Sequence, residues 1–190
     1  VLFWPDLSES AARQNLSQAL TRLRQLLGDK QAPIPFILTT TETVQLNPAA
    51  RWEVDVHAFL KLMKATARHI HHGWHLCTSC ALQLQKAVDT YQGDFLAHLY
   101  LSDSDPFEEW ALPLRHRLQS EMLSTLERLA HYAEWRGNLA QAIEITHRQI
   151  EIEPLREASH REVMRLLALN GQPSAARLQY DVLWQRLAHE

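Results

Sequence analysis

The chain has 190 residues, 46% of them apolar, a formal net charge of −3 and 22% charged side chains. That is enough apolar material for one compact domain or two small ones, with no charge excess that demands a nucleic-acid or membrane partner. Only 5 glycines occur, where average usage would give roughly 13, which excludes a turn-rich all-β fold and a glycine-rich phosphate loop. No apolar run approaches a membrane span and two cysteines cannot staple a chain this size, so a cytoplasmic, mainly α protein is expected. Val1 in place of Met, followed by Leu2-Phe3-Trp4, reads as the start of a fragment of a longer protein.

Ser8 and Ser10 are candidate N-caps for a helix in which Leu16, Leu20, Leu23 and Leu27 recur at steps of four and three, closed by Gly28 as a left-handed cap. Segments 36–40 and 43–46 flank Thr41-Glu42 with β-branched residues and predict a small hairpin before Asn47-Pro48. From Val54 onward the pattern is helical, with helices expected at about 55–71, 79–92, 105–136, 138–152, 156–170 and 173–188. Asp105-Pro106-Phe107-Glu108 combines an acid at the N-cap, proline at the first helical position and an acid in the first turn. The helix it starts has a core-facing stripe of Phe107, Trp110, Leu114, Leu118, Leu126 and Leu129, and Pro113 predicts a kink within it.

A shift of 34 residues superposes Gly137 on Gly171, Ala142 on Ala176, Leu129 on Val163 and Ala133 on Leu167. This is the spacing of tetratricopeptide helix pairs, with Pro154 ending the first unit and Tyr91-Gln92-Gly93-Asp94 marking an earlier, more degenerate one. Stacked helix pairs present a concave groove, so binding is the default role. The six tryptophans (4, 52, 74, 110, 135, 184) are expected in the core and between helices. His57, His98, His116, His131, His147 and His160 are expected at surface or interface positions. No nucleophile with a base, phosphate loop or carboxylate pair stands out, and no enzyme is expected.

Four of the eleven histidines crowd just ahead of the two cysteines in His69-Ile-His71-His72-Gly-Trp-His75-Leu-Cys77-Thr-Ser-Cys80. Two thiolates and two imidazoles suit a tetrahedral structural zinc, with Cys77 and Cys80 joined by two of His69, His71 and His75. The plainer alternative is a reduced thiol pair opening a helix beside solvated histidines, and a redox role lacks the βαβ setting it usually has.

Three blocks together resemble the bacterial transcriptional activator domain, the helical region that follows an OmpR-like winged helix in SARP-type regulators. They are Ala11-Ala-Arg-Gln-Asn-Leu16 through Leu23-Arg-Gln-Leu-Leu-Gly28, then Ala87-Val-Asp-Thr-Tyr-Gln-Gly-Asp-Phe-Leu96, and Phe107-Glu-Glu-Trp110. The resemblance implies that residues 1–48 are the C-terminal part of a winged-helix DNA-binding domain, with 10–27 as recognition helix and 36–46 as wing. Residues 54–190 would be the activator domain with tetratricopeptide-like helix pairs. The strands and first helices that should precede Val1 are absent, so the winged helix reads as truncated.

In such a domain Arg13, Gln14, Asn15, Gln18, Thr21 and Arg22 would face DNA, Gln and Asn suiting adenine and Arg suiting guanine or phosphate. Residues 1–50 carry four basic side chains (Arg13, Arg22, Arg24, Lys30) and four acidic ones (Asp6, Glu9, Asp29, Glu42). With no net charge there, DNA is expected as a partner of the intact protein only. The repeats would serve dimerisation or contact with a protein partner. Similar relatives place a His-x-His ahead of the CxxC, which favours His69 and His71 as ligands over His75. Two other readings compete: a tetratricopeptide adaptor without DNA binding, and a zinc- or redox-sensing module.

Overall fold

The computed structural model describes residues 2–70, 77–99, 101 and 104–188. Among these the order is α1 (Glu9–Leu26), β1 (Ile37–Thr39), β2 (Val44–Leu46), α2 (Asp55–Arg68), α3 (Thr78–Thr90), α4 (Asp105–Trp135), α5 (Leu139–Ile152), α6 (Glu157–Leu169) and α7 (Pro173–Ala188). The protein is mainly α, with one small antiparallel hairpin. It divides into two compact units, Val1–Val54 with Leu96–Pro113, and Asp55–Phe95 with Leu114–Glu190.

In the first unit, the Ser8 side chain accepts from the Ala11 amide and caps α1. Gly28 ends the helix at φ +61, where its own amide reaches Gln25 O and the Asp29 amide reaches Arg24 O. This turn delivers Asp29 into a buried position, where its carboxylate accepts from the Phe36 and Ile37 amides and pairs with Arg24 Nε at 3.4 Å. Arg24 also donates to Ile37 O at 3.3 Å and to Thr39 Oγ1 at 2.9 Å. A clasp of two opposite charges therefore holds the hairpin to the last turn of α1. The register pairs Ile37 with Leu46 and Thr39 with Val44. Asn47 closes the open end of the hairpin by donating to Pro35 O at 2.7 Å, and Trp52 stacks edge-on against Phe36 with centroids 5.5 Å apart.

The start of α4 packs in the same unit through Phe107, whose ring lies 5.9 Å from Phe3 and 5.7 Å from Trp110. The cap expected at Asp105 falls one residue earlier. Ser104 Oγ accepts from the Phe107 amide and donates to Leu2 O, which leaves Asp105 as the first helical residue. The helix runs on through Pro113, where the boundary between units falls.

In the second unit, Phe59 of α2, Ala81, Leu84, Ala87 and Val88 of α3, and Leu118, Met122, Leu126 and Leu129 of α4 form one core cluster. Ala133, Ala142, Ile143, Ile150, Val163, Leu166 and Leu167 form the next. The 34-residue spacing is visible atom by atom. Gly137 N bonds Glu134 O and Asn138 N bonds Ala133 O; Gly171 N bonds Ala168 O and Gln172 N bonds Leu167 O, both glycines having φ near +75 (76 and 74). The two turns are thus the same hydrogen-bonded device used twice. Tyr91 rests on Phe59 and donates to Asp94 at 3.1 Å; burial, then the Asp94 charge, pushes its phenol up to about 12. Arg115 and Arg148 bind the carbonyls of Phe95 and Val88, so this block is a packed joint.

One expectation is sharpened and one needs correction. His160 is fully buried, its ring bridging Pro154 O at 2.9 Å and Gln179 Nε2 at 2.7 Å, beside a buried Ser159–Gln149 hydrogen bond of 2.7 Å. It serves as the polar keystone of the α5–α6–α7 joint, because a carbonyl left by Pro154 at a helix end needs a donor. Trp110, Trp135 and Trp184 are 45%, 56% and 64% exposed, so three of the five described tryptophans expected inside lie at the surface, Trp74 being outside the described residues.

His160→Leu removes both ring hydrogen bonds and should cost about 1–3 kcal/mol in urea unfolding; an unchanged midpoint contradicts the keystone role. Asp29→Ala strands two amides and removes the ion partner of Arg24, and should speed amide exchange at Phe36 and Ile37 while leaving α5–α7 protected. Arg165 binds Glu134 at 2.6 Å, a contact that holds the Glu134 carboxyl below its ordinary 4.5. The stabilisation lost in Glu134→Gln should therefore be present above that value, vanish as pH falls through the lowered one, and stay under about 1 kcal/mol for so exposed a pair.

Candidate metal centre and nucleic-acid face

α2 ends at Arg68, so His69 is the first residue beyond its last turn. Cys77 is the N-cap of α3 and Cys80 lies in the third helical position, two places whose side chains come together at any helix start. The CxxC spacing thus brings both sulfurs to one point, with Cys80 N donating to Cys77 Sγ at 3.5 Å. His69 Nδ1 approaches Cys80 Sγ to 3.1 Å and Cys77 Sγ to 3.4 Å. All three donor atoms lie within 4.8 Å of one another.

Burial grades across the cluster, Cys80 being buried, Cys77 half-buried and His69 exposed. The two thiols are pulled in opposite directions. The Cys80 amide, as the strongest influence, lowers Cys77, whereas burial raises Cys80, reinforced by the hydrogen bond and charge of Cys77 and opposed by the positive charge of Arg128. The thiolate form is thus favoured at Cys77 and disfavoured at Cys80. Tyr132 donates to Thr78 Oγ1 at 3.1 Å and anchors the same helix start from α4.

His69, Cys77 and Cys80, three residues expected as ligands, come together here, while His71 and the alternative His75 lie outside the described residues. No other group of three or more His, Cys, Asp or Glu donors converges among the described residues.

On α1, Gln14, Gln18, Thr21, Arg22 and Arg13 are exposed and Asn15 is half-buried. Arg13 is paired to Glu9 at 2.8 Å, and Thr21 Oγ1 donates to Ser17 O at 2.9 Å, so these two begin with partners inside the helix. Leu16, Leu23 and Leu27 are 37%, 43% and 38% exposed on the other face. A groove of about 370 Å³ runs between α1 and the hairpin, lined by Arg13, Leu16, Ser17, Leu20, Thr21 and Arg24 from α1 and by Thr39–Val44, so Arg13, Thr21 and part of the leucine stripe share it. The Arg24–Asp29 clasp that shapes it escaped the sequence reading. An acid immediately after the glycine cap, with an arginine one turn earlier, was the available signal.

No helix among the described residues is long and apolar enough to cross a membrane. No curated protein matches the chain in sequence. The family model of the bacterial transcriptional activator domain matches residues 54–190, which takes in all of α2–α7. That family is regulatory in kind, and its match spans well over half of the chain. The chain belongs to the bacterial transcriptional activator domain family, regulators of the transcriptional-activator type.

Proposed function

We propose that α1 and the β1–β2 hairpin are the recognition helix and wing of a winged helix that reads DNA, and that α4–α7 are tetratricopeptide-like pairs that contact a protein, either a second copy or a different partner. The observation that carries this reading is the division of α1 into two faces, held in register with the hairpin by Arg24 and Asp29. Gln14, Gln18 and Arg22 project from one face, with side chains suited to base edges and phosphate. The half-exposed leucine stripe opposite is the surface on which the other helices of a winged helix pack. For the repeats, support comes from the doubled 34-residue turn and from Tyr180, Trp184 and Leu187, which share one exposed face of α7.

Charge favours one rival, an adaptor without DNA binding. Residues 1–50 have no net charge, and phosphate affinity scales with the charges neutralised. The test uses a polypeptide in which helices of a complete winged helix precede α1. Its affinity for promoter duplexes should fall steeply with salt, and Arg22→Ala should weaken it and reduce the salt slope by about one. Absence of salt-sensitive binding would remove the DNA reading and leave the adaptor.

A further inference from the structure

The geometry points to a zinc-class metal site formed by His69 Nδ1, Cys77 Sγ and Cys80 Sγ, whose role is to lock the end of α2 to the beginning of α3. The distances carry the first part of the argument. Zinc bonds of about 2.3 Å to sulfur and about 2.0 Å to nitrogen, at tetrahedral angles, put an S and an N ligand about 3.5 Å apart. The two N–S separations here, 3.1 and 3.4 Å, fall within about half an ångström of that value, and all three donor atoms lie within 4.8 Å of one another, so the cluster is of the size that one ion draws together. Thiolate with imidazole is the donor set of a borderline-soft ion, and the absence of any carboxylate among the converging donors argues against calcium or magnesium.

Placement supplies the second part. Two ligands occupy the N-cap and third position of α3 and the other follows the last turn of α2 directly, so the ion would close the loop between two helices that pack on each other. Apolar anchoring is sparse at this end: His69 and Ile70 are exposed, whereas the cluster that includes Phe59, Ala81, Leu84 and Val88 lies further along both helices. Cys80 is buried beside the charge of Arg128, and the α3 start is held by Tyr132, so the donors are presented by fixed backbone. The three donors fill three of four tetrahedral positions, and what they do together is hold two backbone segments.

The experiment uses the whole chain, purified without chelator from zinc-sufficient medium. Elemental analysis should find one zinc per chain. After removal of the metal, cobalt(II) should restore a thiolate-to-cobalt charge-transfer band, and zinc should displace it. Removing a ligand should weaken zinc affinity by at least about a hundredfold, since losing even a supporting partner of a ligand costs 10- to 100-fold, so Cys77→Ser and His69→Ala should lose metal. Because Cys77 and His69 sit outside the core, both variants should keep their helical circular dichroism. Added zinc should raise the thermal midpoint of the metal-free parent and leave that of Cys77→Ser unmoved. Zinc-free protein with no cobalt–thiolate band would overturn the site. A Cys77→Ser variant that binds zinc as tightly as the parent would overturn it equally. Neither result touches the DNA reading, which depends on α1 and the β1–β2 hairpin.

Discussion

The buried face of α4 is the constraint on which the other elements depend. Phe107 and Ala111 give the first unit its wall, Leu118, Met122, Leu126 and Leu129 give one to α2 and α3, and Ala133 begins the cluster shared with α5 and α6. Each large side chain removed from water there contributes about 1.5–3 kcal/mol, more than any exposed ion pair in the molecule. Pro113 has no amide hydrogen to offer the carbonyl one turn back, and the division between the two units falls at this residue.

Polar groups do a different job from that apolar face: they fix the joints. Asp29 with Arg24, Ser104 with Leu2, Gln149 with Ser159, and His160 between Pro154 and Gln179 each sit where a helix ends or a strand begins. Backbone groups are left without helical partners at such ends, and a buried carboxylate, hydroxyl or imidazole satisfies them in only one arrangement of the neighbouring elements. The α2–α3 joint differs in that its converging polar groups are two sulfurs and an imidazole. A metal ion there would do what a carboxylate does at Asp29.

The helices were legible because their apolar residues recur with one period, and the repeat because a left-handed turn needs glycine at the same point in each copy. The CxxC pair was legible because only two residues separate its cysteines, and its convergence with His69 follows from where α2 stops. Long-range partners were not. Asp29 lies seven residues from Phe36, and His160 nineteen from Gln179. A single polar residue carries no period, so nothing local distinguished His160 from the exposed His57. Tryptophan misled for a related reason: its size suggests burial, yet Trp135 and Trp184 are more than half exposed.

The proposed reading of DNA rests on α1 as the Arg24–Asp29 clasp holds it against the hairpin. The most direct measurement is selection of bound duplexes from a random pool by the polypeptide containing the complete winged helix, followed by the same selection with Gln18→Ala and Arg22→Ala. The account predicts a short enriched motif that each variant alters at one or two base positions. A pool that stays random, or the same motif enriched whatever stands at positions 18 and 22, contradicts it.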